Sequence, residues 1–85
     1  MVTRKEIENH ILHIFQEEFE IENPENDVDL RESYGFDSID AIELLAEIED
    51  FLGFELTLDE KKQAMEIRTI IQIFDYVENL EKIRS

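Results

Sequence analysis

Tyr34-Gly35-Phe36-Asp37-Ser38-Ile39-Asp40 reads as a loop that ends at a glycine and a helix that begins at an aspartate and a serine. Downstream, Ile39, Ile42, Leu45, Ile48 and Leu52 recur at steps of three and four, the spacing that aligns residues along one side of a helix running to about Leu52. Asp40, Glu43, Glu47 and Asp50 follow the same spacing on a neighbouring face, and no Lys or Arg occurs from Glu32 to Glu60. Either Asp37 or Ser38 suits the N-cap. With Asp37 in that role, Ser38 occupies the first helical position with its hydroxyl free, at the positive end of the helix dipole, where an anionic phosphodiester is favoured.

Outward from this stretch the chain reads as more helices. Thr3 and Glu6 have capping-box spacing, and Ile7, Ile11, Ile14, Phe15 and Phe19 then form a stripe. Residues Glu20 to Phe36 read as a long loop with turn chemistry at Asn23-Pro24 and Glu25-Asn26-Asp27, anchored by Ile21, Val28, Leu30 and Tyr34. Its Asn23–Glu32 stretch lacks calcium-loop spacing. Gly53 stops the central helix, and Asp59 is expected to cap a short helix from Glu60 to Met65 with Lys61 and Lys62 on its exposed side. Thr69 and Gln72 repeat the capping-box spacing before a last stripe of Ile70, Ile73, Phe74, Val77 and Leu80, with Lys82 and Arg84 suited to the negative end of the dipole. The expected fold is all-α, a small four-helix bundle of three longer helices and one short one, with a long loop between the first two.

Eighty-five residues imply one small domain over 1–85, burying only about 60–65% of its unfolded surface. Eight Lys and Arg stand against 23 Asp and Glu, a formal charge of -15. Such a chain lacks the cations for nucleic acid or an anionic membrane, and suits basic protein partners and fast, salt-sensitive association. With no cysteine, disulfides and thiol nucleophiles are excluded, so thiol chemistry requires an added group. Met1–Glu6 precedes no long apolar run, so neither a signal peptide nor a membrane span is expected, and a cytoplasmic monomer is the default. His10 and His13 lie off the first stripe and read as surface histidines, since no third ligand accompanies them.

The motif Asp37-Ser38-Ile39 after Gly35, together with Asp40, Glu43-Leu44, Glu49-Asp50-Phe51 and Ile73-Phe74-Asp75-Tyr76-Val77, resembles the acyl carrier proteins along nearly the whole chain. Three features depart from that family: Ile39 for the usual Leu, Phe36 where a small residue is common, and a connection over Leu56–Arg68 that looks about three residues longer than usual. The resemblance implies a 4'-phosphopantetheine arm, donated by coenzyme A through a phosphopantetheinyl transferase and attached to Ser38 beside Asp37. It also implies acyl groups carried as thioesters to fatty-acid, lipid, polyketide or aminoacyl enzymes with basic docking surfaces. Ser33, in the loop, and terminal Ser85 compete poorly as attachment points.

Asp40, Glu43, Glu47 and Asp50 are read as a partner-binding strip, because like charges at i and i+4 cost a few tenths of a kcal/mol per pair (~0.2–0.5) and no nearby cation neutralises them. Glu17, Glu18, Glu60 and Glu78 read as solvated surface. Leu45, Ile48 and Leu52 read as core, whereas Ile39, Ile42 and Ala46 turn toward the acidic strip and either complete the bundle or form an apolar spot in a partner interface. The rival reading is an acidic helical interaction module without a prosthetic group. An enzyme is the weakest candidate, because no nucleophile–base–acid set is present.

Overall fold

The computed structural model of the chain describes residues 3–84, with the backbone alone for residue 84. Five helices follow in order: α1 (Arg4–Phe19), α2 (Leu30–Tyr34), α3 (Ser38–Leu52), α4 (Leu58–Ala64) and α5 (Ile70–Arg84). The expected four-helix bundle is present as α1, α3, α4 and α5. Its long first connection contains an extra short helix, α2.

The starts of the helices follow from side chains that satisfy orphan backbone donors. Thr3 caps α1 by accepting the Glu6 N–H at 3.1 Å. Thr69 Oγ1 accepts the Gln72 N–H at 3.3 Å, and Gln72 Oε1 accepts the Thr69 N–H at 3.1 Å, the reciprocal pair expected at α5. At α4 the expectation is corrected. Thr57, not Asp59, is the cap, and it exchanges bonds with Glu60 so that the helix begins at Leu58 and ends at Ala64. A threonine followed three residues later by Glu is the stronger start signal, and it precedes the aspartate. Lys61 and Lys62 are exposed, as expected.

The loop is corrected too. Asp29 accepts from the Arg31 and Glu32 amides at 2.8 and 3.1 Å and starts α2, and Gly35 ends it at φ 69°. Five residues are too few for an apolar period, so only the cap and the glycine mark this helix. Ser33, read as a loop residue, lies within it. Ile21 and Leu30 are buried anchors and Val28 is half-buried. Tyr34 holds the loop by its hydroxyl, which accepts the Glu25 N–H at 3.3 Å.

The core is apolar throughout: among the described residues no polar or charged side chain is buried. Ile7, Ile11, Ile14 and Phe15 of α1 meet Ile70, Ile73, Phe74, Val77 and Leu80 of α5, and α3 contributes Ala41, Leu44, Leu45 and Ile48. The core side of α3 is therefore rotated from the expected stripe: Ala41 and Leu44 face inward while Ile39 and Ile42 are exposed and Leu52 is half-buried. Arg4 joins α1 to α5 at the surface, pairing with Asp75 at 2.8 Å and Glu78 at 3.5 Å and lying over the Phe74 ring. Glu60, a capping residue, and Glu78, an ion-pair partner, thus do more than cover a solvated face. Of the cationic end residues, Lys82 pairs with Glu78 at 3.9 Å, whereas the side chain of Arg84, and Ser85, lie outside the described residues.

His10 departs from its expectation. It is half-buried between α1 and α3, its ring stacked on Phe51 with centroids 4.0 Å apart. Burial, with a smaller contribution from His13, lowers its pKa below the ordinary imidazole value, and Glu47 opposes the shift. His13 is exposed. Among the described residues no group of three or more side chains is arranged to hold a metal.

Candidate helix-start site

The segment before Ser38 is held from both sides. Phe36 is 7% exposed, and its ring lies 5.3 Å from Phe15 in a stacked arrangement and 5.3 Å from Phe19 edge-on. Its N–H donates to the Leu30 carbonyl at 3.2 Å. A large residue at this position thus anchors the entry to α3 in the core.

At the helix start the two N-cap alternatives separate. Asp37 has extended backbone angles and is the cap, while Ser38 is the first helical residue. Asp37 Oδ1 accepts the Asp40 N–H at 3.0 Å and Asp40 Oδ2 accepts the Asp37 N–H at 3.2 Å. Both carboxylates are thereby committed to backbone donors, and the Ala41 amide is satisfied by the Asp37 carbonyl at 3.0 Å. The Ser38 and Ile39 amides have no protein acceptor among the described residues, and the Ser38 side chain is exposed. The result is a solvent-facing hydroxyl beside two open N–H donors, at the positive end of a 15-residue helix. An anion beside this hydroxyl would meet the two donors and the dipole without displacing a hydrogen bond, since the Ser38 side chain makes none among the described residues.

The exposed surface that continues from Ser38 has an apolar centre. Ile39 and Ile42 are 73% and 60% exposed, and Ala46 is exposed beside them. Glu43 and Asp50 are exposed on one flank. Asp40 and Glu47 are half-buried, farther toward α1, where Glu47 acts on His10. The four acids therefore do not form one equivalent strip. On the other flank Glu49, which periodicity does not mark as a site residue, accepts the Leu56 N–H at 2.8 Å and fixes the turn into α4. A groove lined by Ile42, Leu45, Ala46, Glu49, Lys61 and Met65 runs between α3 and α4. Leu58 of α4, 69% exposed, was not foreseen either; an apolar residue directly after the Thr57 cap is the only signal it leaves in the sequence.

Beneath the surface a cavity of about 20 Å³ lies between α2, α3, α4 and α5, with Phe36, Ala41, Leu45, Ile48, Ile73 and Tyr76 in its wall. This is room for about one water molecule. The Tyr76 hydroxyl donates to the Glu60 carbonyl at 2.6 Å and closes one side.

Residues 9–77 match the family described as phosphopantetheine attachment site. Proteins of that family carry a covalently attached 4'-phosphopantetheine group. No curated protein matches the chain.

Proposed function

The chain belongs to the phosphopantetheine attachment-site family, and from that premise we propose that it is an acyl carrier protein whose arm is borne by Ser38. The observation that supports this choice is the exposed Ser38 hydroxyl at the first position of α3, with capping left to Asp37. The bound group supplies the thiol that this cysteine-free chain lacks. The residues around it orient the attachment. The capping box fixes the first turn, the Ser38 and Ile39 amides face the anion, and Phe36 holds the approach in the core.

In this reading the protein performs no bond chemistry on its cargo. Tethering raises the effective concentration of the acyl group at each enzyme that docks it. Docking uses Ile39, Ile42 and Ala46 as an apolar centre with Glu43 and Asp50 as a charged rim, against a basic surface on the transferase or acyl-processing enzyme. Asp40 and Glu47 contribute to the field from the edge of this surface. The partners are those of fatty-acid or related lipid and polyketide synthesis, and a single cytoplasmic domain over residues 1–85 suits them. Among the described residues no helix is long and apolar enough to cross a membrane. The small cavity is too narrow for an acyl chain as it stands, so sheltering one requires α3 to part from α4 and α5.

Incubation with coenzyme A and a broad-specificity phosphopantetheinyl transferase tests the assignment. Intact mass should show one arm on the wild type and none on Ser38→Ala. Modification of the alanine variant, or of Ser33, overturns it. An unmodified wild type, together with native protein that carries no arm, favours the plain interaction module instead.

A further inference from the structure

The cations of this chain are few, and they are unequally employed. Arg4 is held by three carboxylates, Glu8, Asp75 and Glu78. Arg31 and Arg68 pair with no carboxylate among the described residues, although 23 are present in the chain. Both instead donate to one oxygen, the Met65 carbonyl: Arg31 Nη2 at 3.4 Å and Arg68 Nη1 at 3.2 Å. Arg68 Nη1 also reaches the Ile67 carbonyl at 3.2 Å.

Two guanidinium groups that share an acceptor stand side by side, which is unfavourable for like charges. The fold enforces the juxtaposition. The Leu30 N–H donates to the Arg68 carbonyl at 2.7 Å, fixing the backbone beside Arg31 against that of Arg68. Met65 is the C-terminal cap of α4, whose exposed carbonyls offset part of the repulsion. Each guanidinium nevertheless has five N–H donors in a planar fork suited to carboxylate or phosphate oxygens, and most remain open to solvent. Arg31 and Ile67 also line the small apolar cavity, and so does Ala41, three residues into α3 from Ser38.

We propose that Arg31 and Arg68 form a binding site for an oxyanion presented by the tethered arm, a proposal that rests on the Ser38 reading for its delivery. The ligand chemistry is a charged group with two or more oxygens. Its source is a carboxylate at the far end of a diacid acyl cargo, since the phosphodiester is bonded to the Ser38 oxygen and faces the start of α3. Tethering supplies local concentrations in the millimolar range for short flexible links, so a millimolar intrinsic affinity is enough. A carboxylate-ended cargo held here is distinguished from a neutral one of the same length, a selectivity that the apolar cavity alone lacks.

The arginine Nε–Hε signals of ¹⁵N-labelled protein report on the site, with Arg4 as an internal control already occupied by carboxylates. Malonate, titrated into the arm-free protein against chloride at constant ionic strength, should shift Arg31 and Arg68 saturably and at least twofold more than Arg4. The Arg31→Gln/Arg68→Gln variant, its fold checked by its amide spectrum, should lose saturable malonate binding. Shifts no larger than those of Arg4, or unchanged binding in the variant, overturn the site. In the armed protein, a shift of the pair with a succinyl but not a butyryl thioester identifies the cargo carboxylate. Malonate binding with no such difference between the two thioesters overturns delivery by the arm. A chain that takes no arm by intact mass refutes the carrier reading, and the malonate titration then decides the site by itself.

Discussion

Replacing Phe36 by alanine should be among the most damaging single changes outside the long helices. The ring is 7% exposed and contacts Phe15 and Phe19, both at 5.3 Å. Truncating a buried Phe to Ala costs about 3–5 kcal/mol, within which each aromatic pair contributes roughly 0.5–1.5. A domain of 85 residues has a total stability of about 4–13 kcal/mol at typical per-residue values. The variant should therefore lose from about a quarter to all of its stability, and its melting temperature should fall by at least about 12 °C. Phe36→Leu keeps most of the volume and should cost less than about 1.5 kcal/mol. Urea unfolding followed by circular dichroism measures both. Hydrogen exchange of the hydrogen-bonded Asp40 and Ala41 amides in the leucine variant shows whether the first turn of α3 loosens before the bundle does. A loss below about 1.5 kcal/mol in Phe36→Ala would show that the ring does not anchor the attachment segment.

Glu20 ends α1 in the left-handed region at φ 58°, so Glu20→Gly should raise stability by about 0.5–1 kcal/mol in urea unfolding despite the flexibility it adds to the unfolded chain. His10 has a lowered folded-state pKa, so the unfolded chain binds the proton more readily. The stability contributed by neutral His10 is full above the ordinary imidazole pKa, about 6.5, and falls as pH drops from there toward the lowered folded value. The melting-temperature difference between wild type and His10→Gln should shrink across that window, and a constant difference refutes the stacked neutral imidazole. Charge reversal of Glu43 and Asp50 to Lys should slow association with the transferase by about tenfold or more at low salt, with most of the loss erased at high salt. The control of equal charge is Glu17 and Glu18, since Glu78 is needed by Arg4. Equal losses in the two variants by stopped flow would show that net charge alone steers docking.

Much of this protein is legible without coordinates because its signals are local. The stripes of α1 and α5 face the core as read, since each is a continuous i, i+3, i+4 pattern whose burial follows from helix geometry. The Asp37–Asp40 start of α3 and its stop at Gly53, φ 81°, are likewise decided within a few residues. The sequence also places Ser38 at a helix start, because the choice of cap is settled by neighbouring amides. Tertiary packing decided the rest. Five apolar residues at helical spacing in α3 fit two rotations of the helix. Only the positions of α1, α4 and α5 select the one that buries Ala41 and Leu44 and leaves Ile39 and Ile42 in solvent. His10 changes from a surface residue to a stacked one because Phe51 meets it from another helix. Arg31 and Arg68, 37 positions apart in the chain, become neighbours through the hydrogen bond from Leu30 to Arg68. Periodicity fixes which residues share a face, but the direction in which that face points is set by the elements that pack against it.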